Sequence, residues 1–339
     1  MSGAPFLSSG GAVVAWIVKR LSRGGPAIGC ALGTALLLAA SVLCATSALA
    51  RNAVILNSED DPVSVIDTAT YKEVSRSYIG RAPHHLMPTP DGKYLIVAAA
   101  GGNQLIFIDR DSRQVAFRRE ASDPYQVGFS PDTKWFVATS LRLDRIDIYD
   151  GREYRLVHRL PAPRTPSHIG FSPDSSTAYV TLQGSNSLMA IDLASGKPAW
   201  VAPVGLQPAG VLVRPSGNVL VANMGSDHIA EVDPKDGKVL RRIQTGRGAH
   251  NFLLSPDGKV LYVSNRVAGS VAALDAETLT VTAVFPAPGG PDDMAFSLDG
   301  QELWVTGRWR AAVNVIDRAA GTLKATIPVG RSPHGIFVW

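Results

Sequence analysis

From Asn52 onward, short apolar runs alternate with clusters of Gly, Pro, Asp, Asn and Ser. The stretch from Gly246 to Pro286 shows the pattern. Asn251-Phe252-Leu253-Leu254 is a first apolar run, and Ser255-Pro256-Asp257-Gly258 is a turn. Proline presets φ at its second position, and glycine accepts the positive φ that follows. Val260-Leu261-Tyr262-Val263 is a second strand, rich in β-formers. Asn265 to Gly269 is a loop, Ser270 to Leu274 a third strand, and Asp275 starts the next turn. Thr280 to Val284 alternates as a fourth strand. Four short antiparallel strands make one sheet-like unit.

The unit recurs with a period of 41 or 42 residues. One marker position, after a proline or small residue, holds His84, Tyr125, Ser167, Ala209, His250, Asp292 and His334. A second, an Asp after an apolar residue, holds Asp67, Asp109, Asp150, Asp192, Asp233, Asp275 and Asp317. Short strands repeating near this period predict a β-propeller. The ends complete it: Asn52 to Tyr78 supplies only strands two to four of a unit, and Gly335 to Val338 only strand one. Joined in space they give a seventh four-stranded blade and close the ring, which removes the exposed sheet edge. An open solenoid would need capping units at its ends, and neither end has that character. The prediction is an all-β, seven-bladed propeller over residues 51–339.

Leu261-Tyr262-Val263-Ser264-Asn265 and Ala178-Tyr179-Val180-Thr181 resemble the signature of YVTN-type (YncE-like) β-propeller repeats. Gly330-Arg331-Ser332-Pro333-His334-Gly335 and Val65-Ile66-Asp67 extend the resemblance over the whole repeat region. It implies the same fold. It does not select a chemistry, because such propellers include secreted proteins without a known role, lactonases and the tetrapyrrole-binding propeller of cytochrome nitrite reductases.

Residues 1–50 carry none of the repeat. Lys19, Arg20 and Arg23 precede an uncharged run from Ala27 to Ala50 that ends Ala48-Leu49-Ala50. That arrangement predicts a secretory signal peptide cleaved after Ala50, or an uncleaved N-terminal anchor, and hence a periplasmic or secreted protein. Both cysteines, Cys30 and Cys44, lie in this leader, so no disulfide is expected in the propeller. The chain has 33 Lys and Arg against 29 Asp and Glu, and the leader holds three of the basic residues and no acid. The propeller is therefore near neutral, and its charge does not read as a nucleic-acid footprint.

In a propeller the first strand of each blade lines the central channel, so the marker positions of seven blades converge on one mouth. Candidate ligand-binding residues follow: His84, His250 and His334 at the marker, His85 and His168 one residue on, and Asp292 with Asp293 in the blade between those of His250 and His334. Arg81, Arg164, Arg247 and Arg331 share a position three residues before the marker. The loops between strands two and three add Glu59, Asp60, Asp61, Asn103, Arg142, Asn186, Asp227, Arg266, Arg308 and Arg310. One side of the ring is the richer in these groups, as a specific ligand would require. A histidine after proline could equally be a template residue of the repeat. Trp135, Trp304 and Trp339 lie on strands and are expected in blade packing, whereas Trp309, flanked by Arg308 and Arg310, could stack on a ligand.

The expected function is a binding or scaffold propeller that recognises a small anionic ligand or a partner protein at the channel mouth, with no catalysis assumed. Guanidinium groups pair well with carboxylate or phosphate. Tetrapyrrole propionates or a quinone cofactor are possible ligands by analogy, with histidine as an axial ligand. A lactonase-like hydrolase, with His as base and Arg as oxyanion stabiliser, is one alternative. A transition-metal site drawn from His84, His250 and His334 is another, against which stand the absence of a short His-x-His spacing and the expected width of the channel mouth. A membrane is an expected partner only through an uncleaved leader.

Overall fold

The computed structural model describes residues 51–339; the predicted leader lies outside the described residues. Seven four-stranded antiparallel sheets are arranged as blades. Blade 1 is β28 (Pro333–Val338), β1 (Asn52–Asn57), β2 (Pro62–Asp67) and β3 (Lys72–Tyr78), in that order from the inside. The C-terminal strand thus closes the ring against the first, with Ala53 opposite Val338 and Ile55 opposite Ile336. Blades 2 to 7 span residues 83–120, 124–161, 166–203, 208–244, 249–286 and 291–328. Their innermost strands are β4 (Pro83–Pro88), β8 (Pro124–Phe129), β12 (Pro166–Phe171), β16 (Pro208–Val213), β20 (Ala249–Leu254) and β24 (Pro291–Phe296).

The core is distributed. Each of the seven buried apolar clusters lies between two adjacent blades. Ile55 and Ile66 of blade 1 pack on Trp304 and Val315 of blade 7, for example. Strands two and three bury both faces, the inner strand is partly open along the channel, and the outer strand is largely exposed, as in Lys72–Tyr78. Trp304 is fully buried, and Trp135 and Trp339 pack against neighbouring clusters.

Turn chemistry repeats with the strands. All seven Asp residues of the second marker accept backbone N–H groups two or three residues on, as Asp67 does from Ala69 and Thr70. This is the Asx-turn that such residues favour at strand ends. A further set ties blades together. Asp61, Asn103, Asp144, Asn186 and Asp227 sit in left-handed conformation in the loops between strands two and three. Each accepts the backbone N–H of a residue 20 or 21 positions on, at the entrance to the next blade. Asp61, Asn103, Asn186 and Asp227, considered as mouth residues from the sequence, are therefore blade-to-blade clasps.

Candidate functional site

Each inner strand carries one extra residue relative to its partner. Pro83 pairs with Ala99 and Leu86 with Val97, so His84 and His85 together face one residue of the neighbouring strand. The same shift recurs in all seven blades. A regular strand would send consecutive side chains to opposite faces. The bulge re-aims them, and both members of each pair can reach the channel.

Strand-two hydroxyls hold the bulges in place. Thr306 Oγ1 accepts the Asp293 N–H at 3.0 Å and donates to the His334 carbonyl of the next blade at 2.9 Å. Ser264 does the same between Asn251 and Asp292, and Thr181 between His168 and Ala209. Thr181 and Ser264 are the third letter of the Tyr-Val-Thr-Asn signature. The hydroxyl satisfies an amide that the bulge would otherwise leave unpaired, and it links neighbouring marker residues through the backbone.

The side chains so positioned meet in one buried cluster. The His334 ring centroid lies 3.8 Å from that of His84 and 4.4 Å from that of His85. His85 contacts His168 at 5.3 Å, and His168 contacts His250 at the same distance. Tyr125 lies against His84 at 4.1 Å. The carboxylates enter from blade 7. Asp292 Oδ1 is 2.9 Å from His250 Nδ1, without the alignment of a hydrogen bond, and its Oδ2 is 3.6 Å from His334 Nε2. Asp293 Oδ2 is 3.5 Å from His85 Nδ1 and 3.6 Å from His334 Nδ1. Arg266 and Arg308 reach Asp292 at 2.6 and 3.3 Å. Asn251 Nδ2 donates to Asp293 at 2.5 Å.

Charge in this cluster is unevenly shared. Burial pushes His84 and His168 well below the ordinary imidazole range, and neighbouring histidines add to the effect. Burial and Arg266 lower His250. Burial pulls His334 down to about 4, despite the two carboxylates beside it. Burial opposes ionisation of Asp292 and Asp293, but their surroundings outweigh it and hold both carboxyls well below the usual range. For Asp292 these are His334, His250 and Arg266; for Asp293 they are His85 and His334. Burial raises the Tyr125 phenol. Ring nitrogens without a hydrogen-bond partner remain on all five histidines: His84 Nδ1, the Nε2 of His85 and His168, and both nitrogens of His250 and His334.

The profile of the YNCE-like beta-propeller family matches residues 13–339. The chain belongs to this family. Among curated relatives it is 23% identical over 302 residues to Protein NirF of Pseudomonas aeruginosa, covering 80% of this chain and 72% of that one. It is 27% identical over 184 residues to a 6-phosphogluconolactonase of Bacillus subtilis, covering 48% of this chain and 53% of the lactonase. A 27% identical match to Antigen Lp49 of Leptospira interrogans covers 53% of this chain and 44% of the antigen. The solved structure of a functionally unknown protein from Desulfotomaculum acetoxidans superposes with a TM-score of 0.72 at 17% identity, over 85% of this chain and 98% of that one. At that identity the likeness concerns the fold.

In this YNCE-like propeller the structure brings together His84, His85, His168, His250, His334, Asp292 and Asp293. It does not bring the four template arginines to them. Arg81, Arg164, Arg247 and Arg331 are exposed at the entrance to their blades. Their carbonyls accept loop amides in three cases, and Arg331 pairs with Asp60 at 2.5 Å. The cationic groups at the cluster are Arg266 and Arg308, two of the ten loop residues considered. Arg142 instead pairs with Asp123 at 2.6 Å. The mouth is also narrower than the sequence suggests, since bulged backbones crowd three histidines within ligand reach of one another. Tyr125 belongs to the cluster as well; its place at the marker position was the available signal.

Beside the cluster, Glu59, Arg308, Trp309, Arg310, Arg331 and Ser332 line a depression of about 630 Å³. Arg308 belongs to both. Trp309 is 61% exposed. Gly289 and Gly290, both at positive φ, form its bed: a Cβ on Gly290 would come within 2.5 Å of the indole, and one on Gly289 within 2.9 Å of Arg310. A larger cavity of about 710 Å³ lies between blades 2 and 3 and shares no residue with the cluster.

Proposed function

We propose that this chain is a ligand-binding propeller that takes a small anionic ligand at the depression beside the channel cluster. The observation that carries the reading is the convergence of the residues that differ between blades on one buried cluster with unpaired ring nitrogens. Residues that only pack would have no need of such nitrogens, because buried polar atoms are normally paired. Arg308, Arg310 and Arg331 give the rim its preference for anions, and Trp309 offers an indole face held in place by the two glycines. An acidic group on a partner protein would use the same contacts. The protein is taken to act in the periplasm or outside the cell, on the strength of the leader at residues 1–50; among the described residues no helix is long and apolar enough to cross a membrane.

The test is capture of ligand. Full-length protein purified from its own host is examined by absorption spectroscopy, which would reveal a tetrapyrrole, and by mass spectrometry of released small molecules. Trp309→Ala combined with Arg310→Ala is expected to weaken capture at least 10-fold without changing the melting temperature. Equal capture by wild type and double variant would refute binding at the depression. Turnover of a lactone panel that disappears in His250→Ala or His334→Ala would replace the binding reading with a hydrolytic one.

A further inference from the structure

Asp293 is a buried carboxylate, yet its ion-pair partners among the described residues are only the rings of His85 and His334. Asp292, its neighbour, faces two guanidinium groups. Buried charges are paired or coordinate metals, so blade 7 holds one balanced carboxylate and one that lacks a fixed cation. His84 packs against both rings, its centroid 5.2 Å from that of His85 and 3.8 Å from that of His334. One ring nitrogen from each of His84, His85 and His334 can be chosen such that all lie within 4.8 Å of one another.

We propose that His84, His85 and His334 form a three-imidazole centre for one divalent transition-metal ion of the copper–zinc class. The proposal deepens the ligand-binding reading above and rests on the cluster being a site rather than packing. Imidazole suits these ions. Metal–nitrogen bonds of about 2.0–2.1 Å put tetrahedral ligand atoms roughly 3.4 Å apart, so the three rings need to close by about an ångström, which side-chain rotation supplies. Each ring keeps a nitrogen without a hydrogen-bond partner: His84 Nδ1, His85 Nε2 and, with Asp293 on its Nδ1 side, His334 Nε2. Asp293 lies behind His85 Nδ1 and His334 Nδ1. A carboxylate on the far nitrogen of a ligating imidazole fixes its tautomer and orientation. Asp293 is thus a positioning residue, and its charge offsets that of the ion. His84 is the one partly exposed member of the three, although its Nδ1 is buried. Asp292 lies 2.9 Å from His250 and 3.6 Å from His334 Nε2, but its Oδ2 is committed to Arg266 and Arg308, so we assign it outside the ligand set. Of the histidines picked from the sequence as metal candidates, His250 gives way to His85, because the bulge brings two consecutive residues of β4 to the same side.

The test uses the full chain without a histidine tag, stripped by chelator and dialysed against Cu(II) or Zn(II), with no organic anion present. Elemental analysis is expected to give one ion per chain, and the Cu(II) form to show nitrogen hyperfine coupling in its electron paramagnetic resonance spectrum. His85→Ala and His334→Ala should each lower the affinity at least 100-fold by titration calorimetry, Asp293→Asn 10- to 100-fold, and His158→Ala, on the outer surface, not at all. His84→Gln, at the partly exposed member, provides the same loss should a fully buried variant fail to fold. Less than one ion per chain, or stoichiometric loading that survives in folded His84→Gln and His85→Ala, would overturn the metal centre. Because no anion is present, that failure leaves the depression untouched, whereas loss of anion capture with full metal loading would remove the depression and keep the centre.

Discussion

Blades 5 and 7 share every backbone device and almost none of the chemistry. Both have four strands, an inner-strand bulge and an Asx-turn at the end of strand three. At the bulge, blade 7 presents Asp292 and Asp293, while blade 5 presents Ala209 and Gly210. Blade 5 is small there for a reason: a Cβ on Gly210 would come within 2.6 Å of the His250 carbonyl. The hydroxyl that locks the bulge is Thr306 in blade 7 and is replaced by Ala222 in blade 5. Conversely blade 5 has the clasp Asp227, and blade 7 has Ala311 at the equivalent left-handed position. The bulge is thus a general socket, and function depends on what each blade puts into it.

The comparison breaks most sharply at Asp292. Asp292→Ala leaves Arg266 and Arg308 facing a buried void and should destabilise by about 3–5 kcal/mol, the loss seen when one partner of a buried ion pair is removed. Urea unfolding measures this, and a loss under about 1 kcal/mol would show that blade 7 is no more committed than blade 5.

The pH dependence comes next. His334 has a folded pKa near 4 against an ordinary 6.5, so between these values the unfolded chain binds more protons than the folded one. Stability is therefore full above about pH 6.5 and falls as pH drops toward 4. The melting temperature should decline by roughly 5 °C across that window, and His334→Gln should flatten the decline. A profile that stays level in the wild type would mean that His334 titrates alike in the folded and unfolded chain.

The smallest effects separate the two locking devices. Thr306→Val leaves the Asp293 amide and the His334 carbonyl without their partner and should cost about 1–3 kcal/mol. Asp227→Ala, which removes one clasp, should cost about 1 kcal/mol. Calorimetric melts of both variants rank them, and the reverse order would make the clasp, not the bulge lock, the stronger tie.

The period in the sequence disclosed the propeller and its closure, because two markers in step define the repeat and the chain ends are complementary fragments of one blade. It also separated Asp292 and the histidines from the residues every blade keeps. The four template arginines stand apart from the cluster for the same reason. Arg81, Arg164, Arg247 and Arg331 recur at one template position that is exposed in all four blades, and of them Arg331 borders the depression. Arg266 and Arg308 share one loop position, 42 residues apart, where the other blades carry no arginine, and only three-dimensional placement shows that they reach the cluster. The bulge was hidden because the extra residue belongs to the repeat itself and leaves the period unchanged.

Closure by β28 also sets an order in time. His334 lies on this last strand, and it is the one ring that touches His84, His85 and both carboxylates. A chain emerging from synthesis or export can assemble blades 2 to 7 and still have no complete cluster. The cluster is finished only when the ring is.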